Sequence, residues 1–181
     1  AAKALGLRLF PVERDGKGVV LEGGAIDVNG RGTLITTEEC LLDPHTQVRN
    51  PGMSRKDVES VLRDYLGAGN VIWLGRGIAG DDTHGHVDDV CRFTGPGTVV
   101  LCRETDPRDG NYGPLEENRE RLEGARLPDG SRLEIVPLPM PAPVQFEGVR
   151  LPASYANFYV CNAAVLVPTF NDPNDRAALG I

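Results

Sequence analysis

Apolar and polar positions along this chain fall into a pattern that recurs. Residues 19–37, "VVLEGGAIDVNGRGTLITT", read as two strands around a turn, with Asn29-Gly30 as the hairpin signal. A helix is predicted next. Ser54 stands at its N-cap, Val58, Val61, Leu62, Tyr65 and Leu66 form its apolar stripe, and Gly67 ends it. "NVIWL" (70–74) then reads as a short buried strand. The order returns in "HVDDVCRF" (86–93), a Gly95-Pro96-Gly97 turn, "TVVLCRE" (98–104), the helix "PLEENRERLEGARL" (114–127) and the strand "LEIVPLP" (133–139). A third round opens with "SYANFYV" (154–160) and "AVLVPTF" (164–170), then reaches the helix-like "NDPNDRAALGI" (171–181).

The unit is strand, strand, helix, strand, recurring roughly every 65–70 residues, longer than the common solenoid repeats. Such units predict an α/β fold of a few modules around an axis, with hairpins at about 19–36, 86–103 and 155–168. About two and a half modules are visible, and the first residues read as the end of a helix. The expectation is therefore that residues 1–181 are part of a single larger domain, with portions on both sides missing. The segments 41–54 and 137–154 read as linkers. The second is proline-rich and expected to run extended over a surface.

Composition narrows the class. Of 181 residues, 40% are hydrophobic and 25% charged, as in a soluble globular protein. The net charge of −7 argues against nucleic acid or an anionic membrane as main partner. No apolar run approaches the ~20 residues of a membrane span. Cys40, Cys91, Cys102 and Cys161 are widely spaced, and the last three lie in apolar runs. They read as buried, reduced thiols of a cytoplasmic protein.

One stretch does not look structural. "GDDTHGHVDDVCRF" (80–93) sets His84, His86 and Asp88 on alternate positions, which an extended chain would aim to one face. Three readings compete. His84-x-His86-x-Asp88 matches the opening of a hydrolytic zinc motif, but no histidine follows His86 and Asp89 stands where that motif needs one. A solvated acidic loop could carry Asp81 and Asp82 as turn formers. Alternatively, His86 and Asp88 form an acid/base pair at a cation site. Glu22 supports the last. It is predicted to end a buried apolar strand, where a carboxylate needs a partner, and Gly23 and Gly24 after it permit a close approach.

The segments "LEGGAIDVNGRGTLITTEECLL", "NVIWLGRGIAGDDTHGHVDDVCRF" and "LPASYANFYVCNAAVLVPTFND" resemble, in order and spacing, the agmatine deiminases of the guanidine-modifying (pentein) superfamily. The resemblance implies a partial α/β-propeller of ββαβ modules. It also implies covalent hydrolysis of a guanidinium group, with no cofactor and no metal, in polyamine metabolism. By motif, Glu22 and Asp88 would hold the guanidinium and His86 would act as general acid/base. Asp82 would meet the far amine of agmatine. His84 stands where relatives carry Asp or Asn, and Asn157 occupies a motif position that also suits a structural amide. The family's nucleophilic cysteine lies in a Gly-rich segment ending "HC", and this chain has none, so the chain alone is expected to be inactive. The implied partner is a small cationic guanidine, agmatine, with neither nucleic acid nor membrane. A homodimer of the full-length protein is compatible with the resemblance. The alternatives are a related arginine or peptidyl-arginine deiminase and a non-catalytic guanidinium-binding remnant.

Overall fold

A computed structural model describes residues 2–181. It has a mixed α/β architecture built on two three-stranded sheets of the same design. In the first, β1 (Asp27–Val28) pairs antiparallel with β2 (Thr33–Thr37). After helix α1 (Arg55–Leu66), β3 (Asn70–Leu74) lies parallel to β2, with Thr33 opposite Asn70 and Thr37 opposite Leu74. In the second sheet, β4 (Cys91–Phe93) and β5 (Thr98–Arg103) form the hairpin. Helix α2 (Tyr112–Gly124) crosses over, and β6 (Glu134–Pro139) pairs parallel with β5. A third hairpin, Tyr159–Val160 with Val165–Leu166, precedes a short helix, Asp175–Leu179. The expected order of strand, strand, helix, strand is thus present twice, and the hairpin three times.

Local chemistry explains these elements. Ser54 and Asp57 form a reciprocal capping box on α1, and Gly67 closes the helix with φ 70°. The inner face of α1 is narrower than its apolar stripe, because Val58, Val61 and Leu62 are buried while Tyr65 and Leu66 are exposed. Every residue of β2 is buried, threonines included. The Thr36 hydroxyl is satisfied by donating to the Ala25 carbonyl at 2.7 Å. In α2, buried Asn118 accepts from the Gly75 amide at 2.7 Å and donates to the Arg76 carbonyl at 2.8 Å, which pins the loop leaving β3.

Three expectations need correction. The first strands of the first two hairpins are shorter than predicted: Gly23–Ala25 and Val87–Asp89 are 3-10 turns, and the two turns pack against each other. The 137–154 segment contains a small hairpin, Gln145–Phe146 with Val149–Arg150, around Glu147-Gly148, both with positive φ. Cys40, Cys91 and Cys102 are buried free thiols, but Cys161 is exposed, in the turn of a hairpin whose two strands are themselves exposed. At the N-terminus, Lys3–Leu5 is a single 3-10 turn capped by left-handed Gly6.

Polar side chains join the hairpins in chain order. Asp27, on β1, accepts from Arg92 Nε at 2.8 Å and from the Phe93 amide at 2.6 Å, both on β4. Arg92 then donates to the Phe158 carbonyl at 2.9 Å and stacks on the Phe158 ring. The 3-10 turns 23–25 and 87–89 meet beside this seam.

Candidate active site

The meeting of these two turns brings Glu22, His86 and Asp88 together. Gly24 lies between them. A Cβ on Gly24 would sit 2.5 Å from His86 Nδ1 and 2.7 Å from Asp88 Oδ2, so the absence of a side chain is what allows the approach. On the other side of the imidazole, His86 Nε2 is 3.4 Å from Glu22 Oε2. The geometry leaves buried Nε2 without a hydrogen bond.

The loop carrying His86 is held by Asp81. Its carboxylate accepts from the amides of Thr83 at 2.8 Å, Gly85 at 2.8 Å and His86 at 3.0 Å, and from the Thr83 hydroxyl. Burial works to raise the Asp81 pKa, but these donors outweigh it and hold it below the usual carboxylate range. Gly85, with φ 87°, packs directly on Gly77, and the Thr37 hydroxyl donates to its carbonyl. That same hydroxyl accepts from the Cys40 amide at 3.1 Å and so caps the short helix Glu38–Leu42.

Glu22 ends an extended stretch and remains part-exposed, and its partner is Arg49, whose side chain is only 5% exposed. Arg49 Nε donates to Oε2 at 3.0 Å and Nη2 to Oε1 at 3.2 Å. Arg49 is held in turn by the carbonyls of Gln47 and Thr83. Burial pushes the Glu22 pKa up, but the hydrogen bonds and charge of Arg49, helped by His86, more than reverse this. Glu22 is thus a firmly ionised carboxylate. Asp88 differs: burial raises its pKa, only partly opposed by the charges of His86 and Arg92.

The regular alternation expected of His84, His86 and Asp88 is not what places them. His84 has φ 63°, and Gly85 follows it in the left-handed region, so the chain turns and the two histidines take different partners. His84 Nε2 lies 2.8 Å from Asp43 Oδ2, with Glu39 beyond. The amide of His45, the His84 ring and the amide of Thr46 hold the Asp43 pKa down to about 2. Asp82 is exposed, and its carbonyl accepts from Gln47 Nε2 at 2.7 Å. Asn157 donates to Asp89 Oδ1 at 3.0 Å behind the His86 turn. Burial, with the Asn157 hydrogen bond opposing, pushes Asp89 up to about 6.

Three residues at the site carried no role in the sequence reading: Arg49, Asp81 and Cys40. Cys40 offers its sulfur within 4.8 Å of donor atoms on Glu22 and His86. Burial, opposed by Arg49 and reinforced by Glu22, pushes this thiol up to about 11, which is the opposite of an activated nucleophile.

Comparison with known proteins places the chain in a family. The family model for Porphyromonas-type peptidyl-arginine deiminases matches residues 2–181, and the chain belongs to that family. Among its relatives, the agmatine deiminase of Pseudomonas fluorescens is 40% identical over 183 residues, covering 91% of this chain and 49% of the relative. The agmatine deiminase of Ectopseudomonas mendocina is 41% identical with the same coverage. Among solved structures, the agmatine deiminase of Enterococcus faecalis superposes with a TM-score of 0.80 at 37% identity, covering 90% of this chain and 48% of that one. A C. jejuni agmatine deiminase with substrate bound gives a TM-score of 0.80 at 36% identity, covering 89% and 46%. The chain spans about half the length of the curated relatives it matches. No helix among the described residues is long and apolar enough to cross a membrane.

Proposed function

We propose that this chain supplies the guanidinium-binding and acid/base half of a deiminase site, and that the reaction is hydrolysis of agmatine to N-carbamoylputrescine and ammonia. The observation that carries the reading is the meeting of Glu22, His86 and Asp88 around Gly24. A guanidinium is always charged and presents paired N–H donors, so carboxylates are its natural acceptors. A carboxylate offers about four acceptor sites, and Arg49 takes one side of Glu22, leaving others for a ligand.

In this reading residues 1–181 form part of a single pentein-type domain, and the nucleophilic cysteine lies in the half of the relatives that this chain does not span. Its thiolate attacks the guanidinium carbon, and the resulting tetrahedral adduct expels ammonia, which takes its proton from His86. The S-alkylthiouronium left behind accepts water, whose proton passes to His86. Breaking the C–S bond then releases the carbamoyl product and the thiolate. Glu22 and Asp88 orient the carbon throughout, and the reading assigns Asp82 to the far amine of the substrate. The family description favours a second reading, peptidyl-arginine as substrate.

Ammonia release from agmatine and from an arginyl peptide, by the full-length protein and by this chain, tests the proposal. Full-length protein should turn over agmatine, the H86A variant should not, and this chain alone should be inert. Preference for the peptide would replace agmatine as the substrate. Turnover by this chain near the full-length rate would place the nucleophile among Cys40, Cys91, Cys102 and Cys161.

A further inference from the structure

Cys40 stands beside the imidazole and carboxylate of the candidate site, yet the deimination chemistry gives it no task. We infer that Glu22, Cys40 and His86 form a binding site for a borderline-soft divalent cation, Zn²⁺ above all, and that occupancy of this site excludes the guanidinium ligand.

Three observations carry the inference. The first is the donor set. One carboxylate oxygen, one thiol sulfur and one imidazole nitrogen lie within 4.8 Å of one another, and Glu22 Oε2 and His86 Nε2 are already 3.4 Å apart. Tetrahedral zinc with bonds of about 2.0–2.3 Å wants its donors separated by about 3.3–3.7 Å, so closure needs side-chain shifts of about 1 Å. The set is the type zinc prefers, and three protein ligands leave a fourth position for water. The second is the state of His86. Its Nε2 is buried, faces Glu22 Oε2 at 3.4 Å and makes no hydrogen bond, so a cation seated between the two would give it the partner it lacks, at the cost of that one ion-pair contact. The third is the surrounding charge. Arg49 opposes a cation and would share Glu22 with it, while the carboxylates of Glu39 and Asp81, which are not ligands, act on Cys40 in the opposite sense to Arg49. Binding converts the Cys40 thiol to a metal-bound thiolate and releases one proton, with no change in oxidation state.

The short helix Glu38–Leu42 explains why the thiol is there. Thr37 caps it and tethers Gly85, so the element presenting Cys40 and the loop presenting His86 share one hydroxyl. The exclusion of substrate rests on the deiminase reading, because it requires Glu22 and His86 to be the groups a guanidinium uses. The metal site itself does not.

The test is titration of this chain with Cd²⁺, read by the thiolate-to-metal charge-transfer absorption, and with Zn²⁺ by calorimetry in buffers of different ionisation enthalpy. C161S serves as the background, because Cys161 is an exposed thiol that could bind adventitiously. One equivalent should bind with release of one proton. The Cd²⁺ band should vanish in C40A, and E22Q and H86A should each weaken Zn²⁺ by about tenfold or more. Should C40A fail to fold, E22Q and H86A still decide: unchanged affinity in both overturns the site, as does a band that survives in folded C40A. Agmatine should lower the apparent Zn²⁺ affinity. Metal binding that obeys these mutations but ignores agmatine would uphold the metal site and remove the guanidinium reading instead.

Discussion

Replacing Gly24 by alanine probes the contact on which the site depends. The added methyl would lie 2.5 Å from His86 Nδ1 and 2.7 Å from Asp88 Oδ2. Ordinary contact begins near 3.4 Å, so the two side chains must retreat by roughly 0.7–0.9 Å. The backbone adds no strain of its own, since Gly24 lies outside the left-handed region. The cost is therefore that of overpacking, about 1–3 kcal/mol of stability. Gly23 is the internal control, because a Cβ there meets nothing within 4 Å. Urea unfolding followed by circular dichroism should show G24A destabilised by that amount and G23A within about 0.5 kcal/mol of the parent sequence. Agmatine binding should weaken by about tenfold or more in G24A and stay nearly constant in G23A, because a displacement approaching 1 Å misaligns acceptors that a ligand must meet at about 3 Å. If G24A matched G23A in both stability and binding, His86 and Asp88 would not be packed against this turn, and the reasoning would fail.

Other perturbations have equally definite outcomes. Asp89 is 8% exposed and its pKa rises from 3.8 to about 6 on folding, so the folded state binds the extra proton. Stability should therefore fall as pH rises from about 4 to about 6 and then level, by up to about 3 kcal/mol. D89N, which keeps an acceptor for Asn157, should abolish that slope in denaturation curves between pH 4 and 8 and be the more stable form at pH 7. D81A removes four hydrogen bonds from the His86 loop and should cost about 2–4 kcal/mol, with faster hydrogen exchange at Gly85 and His86. The Asp81 pKa is lowered on folding, so its stabilisation should be present above the unfolded value and fade as pH falls through the folded one. S54A breaks the capping box of α1 and should cost about 1 kcal/mol in thermal unfolding without touching ligand affinity.

The elements set by local rules were the readable ones. Ser54, Gly67 and the apolar spacing between them marked α1, and β-branched "NVIWL" marked β3, because each signal acts within one turn or one strand. Glu22 and His86 were legible as a carboxylate and a base one module apart. The alternation expected of His84, His86 and Asp88 fails where Gly85 turns the chain and His84 departs towards Asp43. Arg49 was hidden because it lies 27 residues from Glu22, in a turn-rich segment with no periodicity. Asp81 looked like any loop aspartate, since four donors converge on it only after the loop has closed. Cys40 read as a bland buried thiol, which it is by burial. Its neighbours come from two other segments, and nothing local announces them.

The central claim is that Glu22, His86 and Asp88 together receive a guanidinium group. The most direct measurement is an NMR titration of this chain with agmatine, following the ring resonances of His45, His84 and His86, the last assigned by H86A. Putrescine, which has the far amine but no guanidinium, is the control. The account expects agmatine to shift the His86 resonance saturably, putrescine to leave it in place, and E22Q and D88N each to weaken the response by about tenfold. A His86 resonance unmoved by agmatine in the folded chain, or moved equally in E22Q and D88N, would contradict it.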